Sequence, residues 1–164
     1  MRKFLLSLSF LISSCASVEY GDYKYSLYDS RYPDYEYVES AHFIINSPDR
    51  DYARTASDVA EKYYYSLMMD TNLFSFVQNS PYRITIHADR NAFMQKTGSP
   101  KWSAGFISSN TIETYISSET HCVLAHEITH LIINEYLGEY SSMYKWLDEG
   151  IATYQERKAC MEVD

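Results

Sequence analysis

The sequence predicts one α+β domain in which the helices lie on one side of a small β-sheet. Three observations support this prediction. Short runs of β-branched and aromatic residues alternate along the chain with longer segments whose apolar residues have helical spacing. The chain has 164 residues, enough for a single domain with one hydrophobic core. Finally, the order of a strand, a helix, a strand, a hairpin and two more helices is typical of an α+β arrangement.

Each element is predicted from its own local pattern. Alternation of apolar and polar residues predicts strands, whereas apolar residues three and four positions apart predict helices. In chain order these are a strand at 42–46, a helix at 49–69, a strand at 82–87, a short helix at 91–97, and a hairpin of 104–107 with 111–116. The next helix is expected to end near Gly138, and a last helix is expected over 143–158.

The helix after the hairpin contains the motif His126-Glu127-Ile128-Thr129-His130. Two histidines four positions apart on a helix lie about 6 Å apart along its axis, so both imidazoles can reach one metal ion. Glu127 lies about 100° round the helix from His126, where it can accept a proton from a metal-bound water. This spacing indicates a zinc hydrolase site.

The motif needs a third ligand, because a catalytic zinc takes three protein ligands and leaves the fourth position to water. Glu135 and Glu139 follow the motif too closely to serve. Glu149 is better placed, since a turn after Gly138 lets the last helix present it back toward the histidine pair. The metzincin pattern fails, because it requires a third histidine shortly after the pair.

Eighteen residues separate His130 from Glu149, which lies in the segment Trp146-Leu147-Asp148-Glu149-Gly150-Ile151-Ala152. With this gap, the segment resembles the gluzincin metallopeptidases of the aminopeptidase-like, "peptidase MA-like" branch. The resemblance implies that His126, His130 and Glu149 bind Zn2+ and that Glu127 is the general base of peptide hydrolysis. It also implies a gluzincin-like catalytic half with a shortened C-terminal lobe, since fifteen residues follow Glu149. An amphipathic helix whose histidines lie near its polar edge is the alternative.

The same resemblance assigns a substrate-binding role to the start of the hairpin. In that family an edge strand pairs with an extended peptide, and Ala104, Gly105 and Phe106 would form this strand. Main-chain hydrogen bonds would then align a substrate without requiring particular side chains. An ordinary edge strand in which Gly105 relieves a bulge is the alternative.

The N-terminus has the pattern of an export signal. Two basic residues precede an apolar run that is too short to span a bilayer, and Cys15 follows. Residues 12–15 resemble the bacterial lipobox, which implies a signal peptide over 1–14 and a lipid anchor on Cys15. The residues after it, Ala16 and Ser17, favour the outer membrane of the cell envelope by the same resemblance.

Residues 15–40 are predicted to form a tether, and residues 41–164 the metallopeptidase domain. The tether region alternates tyrosine with charged residues and has almost no aliphatic residue that could anchor a core. Its tyrosines could instead pack on the domain or on a neighbouring molecule.

The acidic composition limits the classes of molecule that the protein is expected to bind. The chain has 22 Asp and Glu against 14 Lys and Arg, and its formal net charge of -8 argues against nucleic acid. A peptide or protein substrate is expected, with membrane contact through the lipid anchor. Two functions remain, zinc-dependent peptide hydrolysis by an envelope lipoprotein and a non-enzymatic binding lipoprotein that keeps a peptidase-like fold.

The remaining cysteines and histidines have structural interpretations. In an oxidising compartment Cys122 and Cys160 invite a disulfide, and two separate buried thiols are the alternative. The other histidines complete no metal spacing and are predicted to be structural or surface residues, namely His42, His87 and His121.

Overall fold

The computed structural model describes residues 29–161, so the predicted signal peptide and Cys15 lie outside the described residues. This part of the chain forms a mixed five-stranded sheet and four α-helices, and the α+β prediction is confirmed. The elements are β1 (Glu36–Glu39), β2 (Phe43–Ser47), α1 (Arg50–Thr71), β3 (Tyr82–His87), α2 (Arg90–Thr97), β4 (Gly105–Ser108), β5 (Thr111–Tyr115), α3 (Thr120–Leu137), a 3-10 helix (Gly138–Tyr144) and α4 (Lys145–Met161). None of the helices within 29–161 combines the length and hydrophobicity that a membrane span requires.

The sheet has the strand order β1-β2-β3-β5-β4. The three central strands β2, β3 and β5 run parallel, and both edge strands pair antiparallel with their neighbours. Strand β4 is therefore an edge strand, and it lies beside helix α3. This arrangement brings the predicted substrate-binding segment next to the helix that carries the histidine motif.

The hydrophobic core lies between one face of the sheet and helices α1, α3 and α4. Helix α1 begins where the side chain of Asp49 accepts hydrogen bonds from the N–H groups of Asp51 and Tyr52. The large core side chains come from the sheet, α1 and α3 and include Phe43, Ile45, Leu67, Ile84, Ile86, Ile112, Leu124, Ile128 and Ile132. Since burial of one such side chain contributes about 1.5–3 kcal/mol, this core holds α3 firmly against the sheet.

Helix α2 corrects the prediction that all helices lie on one side of the sheet. Phe93 of α2 is fully buried, and its ring centroid lies 6.1 Å from that of His87 and 5.5 Å from that of Tyr115. Because side chains alternate along a strand, His87 and Tyr115 point to the face opposite Ile86 and Ile112. Central parallel strands are buried on both faces, and α2 supplies part of the second layer.

Residues 29–39, which the sequence analysis placed in a tether, belong to the domain. The hydroxyl of the buried Tyr32 donates a 2.7 Å hydrogen bond to Oε2 of Glu113, and the Tyr35 hydroxyl lies 3.1 Å from Nδ1 of His87. Strand β1 then pairs with β2. The boundary predicted at residue 40 is therefore corrected, because these tyrosines cover the face of the sheet that α2 leaves open. Residues 15–28 of the predicted tether lie outside the described residues.

A disulfide joins Cys122 in the first turn of α3 to Cys160 in the last turn of α4. The two Cα atoms are 5.3 Å apart, and 38 residues separate the cysteines in the chain. Of the two states that the sequence left open, the structure contains the bond. The disulfide thus links the two helices, α3 and α4, that carry all three predicted metal ligands.

Candidate metal centre

Helix α3 presents His126 and His130 toward α4. Its opposite face is anchored in the core by buried apolar side chains four residues apart, Leu124, Ile128 and Ile132. The helix ends at Gly138, whose φ of 55° lies in the region that favours glycine. The 3-10 helix then reverses the chain, so that the first turns of α4 return to the histidine pair.

The three predicted ligands converge in space. The Nε2 atoms of His126 and His130 are 3.0 Å apart, and Oε2 of Glu149 lies 3.7 Å from Nε2 of His130. One ligand atom from each residue lies within 4.8 Å of the other two. In a tetrahedral zinc site with bonds of about 2.0–2.1 Å, neighbouring ligand atoms are about 3.4 Å apart. The donor set can hold one small divalent cation once the widest of these separations, up to 4.8 Å, closes by about 1.4 Å.

Two further carboxylates orient the histidines. Oε2 of Glu156 lies 3.0 Å from Nδ1 of His126, and Oδ1 of Asp148 lies 2.8 Å from Nδ1 of His130. A carboxylate at Nδ1 fixes the ring so that Nε2 faces the metal position, and it raises the basicity of the ligand. Glu156 forms a hydrogen bond with His126, whereas the buried carboxylate of Asp148 makes a close contact with His130 without hydrogen-bond geometry.

Asp148 and Glu156 were not predicted from the sequence as site residues. Their spacing from Glu149 could have indicated them. Asp148 directly precedes Glu149, and Glu156 follows Glu149 by seven residues, about two turns on the same helix. Helical spacing thus places the ligand and both orienting carboxylates along one side of α4. Their histidine partners on α3 become apparent only when α4 is packed against α3.

Glu127 lies beside this group without joining it. Burial, with a further contribution from the nearby carboxylates of Glu149 and Glu156, raises the pKa of Glu127 to about 7 against the opposing effect of His126. A carboxyl group with this pKa can both take up and release a proton near neutral pH. A cation bound by the three ligands would lower this pKa, because it favours the ionised carboxylate.

The predicted substrate-binding residues take three different positions. Gly105 faces α3, and a Cβ atom built on it would lie 2.5 Å from Oε1 of Glu127. The carbonyl of Ala104 accepts a 2.8 Å hydrogen bond from the hydroxyl of Thr114. Phe106 pairs with Glu113 across the two strands, so its side chain points to the other face of the sheet. Their role in binding a peptide stays a prediction.

The other histidines contact structural partners, as expected. Nδ1 of His42 lies 2.7 Å from Oε2 of Glu61, Nε2 of His87 lies 3.0 Å from Oε2 of Glu113, and Nε2 of His121 lies 3.3 Å from Sγ of Cys122. Within residues 29–161, the group formed by His126, His130 and Glu149 is the one whose geometry suits a metal ion.

Comparison of the chain with protein-family models, curated proteins and solved structures finds no match. The site combines three residues that could hold a cation, an ionisable carboxyl group beside them, and an edge strand against that carboxyl group.

Proposed function

We propose that this protein is a gluzincin-like zinc metallopeptidase. The observation that carries the proposal is the convergence of His126, His130 and Glu149, whose ligand atoms lie within 4.8 Å of one another. The carboxylates behind both histidines support it, because such partners are a regular part of metal sites and have no comparable purpose on an ordinary amphipathic helix. The open side of Glu149, whose side chain is half exposed, leaves room for water and substrate.

Each residue has a chemical role in this proposal. When bound, zinc supplies a Lewis acid that polarises the scissile carbonyl and lowers the pKa of a water to about 7. His126, His130 and Glu149 hold the ion, and Asp148 and Glu156 keep the imidazole rings in register. Glu127 accepts the proton of the attacking water and returns it to the leaving amine as the peptide bond breaks.

The setting of the reaction follows from the sequence. The acidic chain favours peptides or proteins over nucleic acid as substrate. Edge strand β4 offers main-chain groups to an extended peptide next to Glu127. A lipid anchor on Cys15 would hold the enzyme at a membrane of the bacterial cell envelope, with the outer membrane as the proposed location.

A binding protein without catalytic activity is the second candidate. Large exposed side chains follow the metal site along the chain, including Tyr140, Met143 and Trp146 at 62%, 68% and 73% exposure. Exposed apolar surface of this kind often marks a binding region. Glu127 favours the enzyme, since a binding protein has no chemical need for a buried carboxyl group beside a metal site.

Zinc content tests the metal site directly. Elemental mass spectrometry of residues 16–164 should find close to one zinc per chain, and Glu149→Ala should lose most of it because a ligand is removed. Glu139→Ala, an exposed carboxylate on the 3-10 helix, is the matched control and should keep its zinc. Absence of zinc from both the wild type and the control would rule out the metallopeptidase.

Peptide cleavage separates the two candidate functions. Glu127→Gln keeps the size of the side chain but cannot accept a proton, so it should retain zinc and lose cleavage of a broad peptide library. Equal product from the wild type and Glu127→Gln, neither above a blank, would leave the binding protein as the better account.

A further inference from the structure

Gly105 makes an unusually close approach to the carboxyl group of Glu127. A Cβ atom at position 105 would lie 2.5 Å from Oε1 and 2.9 Å from both Cγ and Cδ of Glu127. Ordinary van der Waals contacts of a Cβ atom begin at 3.4 Å. Any other residue at position 105 would therefore overlap the Glu127 carboxyl group by about 0.9 Å, the difference between 3.4 and 2.5 Å.

The backbone of β4 does not itself require glycine at this position. Gly98 and Gly138 have positive φ angles, whereas Gly105 lies in a strand and has no such angle. An alanine there would be a normal strand residue as far as backbone conformation is concerned. The space occupied by Glu127 therefore explains the glycine better than the path of the chain does.

Neither backbone can retreat easily from the other. Gly105 pairs with Thr114 of β5, and its carbonyl accepts a 2.6 Å hydrogen bond from the hydroxyl of Ser103. On the other side, α3 is fixed by Leu124 and Ile128, both almost fully buried in the core. A Cβ atom at position 105 would therefore displace the Glu127 side chain before it displaced the strand or the helix.

We propose that Gly105 is a positioning residue for Glu127. This inference rests on the proposed peptidase function. Strand β4 forms a wall that the carboxyl group can contact closely only because position 105 has no side chain, and the wall holds the carboxyl group beside the metal ligands. The role differs from the one predicted from the sequence, because it acts through Glu127 and requires no contact between Gly105 and a substrate.

Gly105→Ala is the first test. We expect the zinc content to stay at one per chain, because the three atoms nearest to a Cβ at position 105 all belong to Glu127, which is not one of the three ligands. We expect kcat/KM for peptide cleavage to fall about 100-fold, since a displacement of about 1 Å in a reacting group costs about this much. Gly150→Ala is the matched control, because a Cβ atom there meets nothing within 4 Å and the variant should keep its activity.

A double-mutant cycle distinguishes positioning from a general structural effect. Glu127→Asp shortens the side chain by one methylene and withdraws the carboxyl group from the overlap. Adding Gly105→Ala to Glu127→Asp should then cost far less than adding it to the wild type. Equal costs in the two backgrounds would overturn the inference.

Binding of acetohydroxamic acid gives a readout that does not depend on catalysis. A hydroxamate chelates zinc through two oxygens, one of which can share a proton with an adjacent carboxyl group. In titration calorimetry of the zinc-loaded protein, Gly105→Ala and Glu127→Gln should each weaken this binding roughly tenfold or more. Unchanged affinity in Gly105→Ala would overturn the inference whether or not peptides are cleaved. Weakened affinity without any cleavage by the wild type would support it and reject the peptidase.

Discussion

The carboxylates of Asp148 and Glu156 on α4 contact the two histidines of α3. His126 and His130 were predicted as metal ligands from helix geometry, and Glu149 from the turn after Gly138 and the gluzincin resemblance. The orienting carboxylates could not be assigned to their histidines from the sequence, because each contact joins two helices. Both contacts form only when α4 packs against α3 with the side that carries these carboxylates turned toward the histidines.

Replacement of Asp148 tests whether these contacts tune the metal site. Asp148→Asn keeps the shape of the side chain but removes the charge that holds Nδ1 of His130, so we expect zinc affinity to fall 10- to 100-fold. Competition with a chromophoric chelator measures the change. Glu139→Gln is the control for loss of one negative charge, and an affinity of Asp148→Asn equal to that control would show that the contact is unimportant for the metal.

The paired helices α3 and α4 are the element on which the site depends. Both were predicted, but the prediction left open whether Cys122 and Cys160 are bonded, since sequence carries no distance between them. The sequence also missed β1 and placed α2 on the wrong face. A strand as short and polar as Glu36–Glu39 forms because β2 offers it a partner, which is a tertiary effect on a weak local preference.

Loss of the disulfide should loosen this helix pair. For a loop of 38 residues, removal of the cross-link is expected to lower the free energy of unfolding by about 2–4 kcal/mol. Thermal unfolding of the wild type with and without a reductant measures this effect. The double variant Cys122→Ala and Cys160→Ala should unfold like the reduced wild type and should not respond to reductant.

The zinc affinity of the reduced protein reports on the same element. Glu149 and Glu156 lie on α4, so a looser α4 should weaken zinc binding as well as stability. An unchanged zinc affinity after reduction would mean that the core contacts of α4 alone hold the ligands in place.

Across the described residues the sheet is covered on both faces, by α1, α3 and α4 on one and by α2 with residues 29–35 on the other. The second of these layers depends on a buried ionic network around Glu113. Burial alone would raise the pKa of Glu113, but hydrogen bonds from His87 and Tyr32 hold it below its ordinary value. The guanidinium of Arg31 adds a contact of 3.2 Å to Oε1. This network joins residues 29–35 to the sheet, and no local pattern in a tyrosine-rich segment could have predicted its partners.

The network predicts how stability depends on pH. Because the pKa of Glu113 is lowered in the folded state, its contribution is complete above the ordinary value of 4.5 and is lost as pH falls through the lower folded value. Glu113→Gln should cost about 2 kcal/mol at pH 7 and progressively less below pH 4.5. Denaturant unfolding of the wild type and Glu113→Gln from pH 7 to below pH 4.5 measures this difference in the free energy of unfolding. Glu36→Gln, at an exposed position, is the control. A difference that stays constant with pH would contradict the assignment.

Asp29 and the histidine pair lie on opposite faces of the sheet. Asp29 is paired with Arg31 on the face of the sheet that carries Glu113, whereas the histidine pair lies in the helical layer on the other face. If a lipid anchor precedes residue 29, the chain would therefore be attached to the domain on the face of the sheet that carries Glu113. The side that carries His126 and His130 would then face outward from the point of attachment, toward molecules that arrive from the surrounding solution.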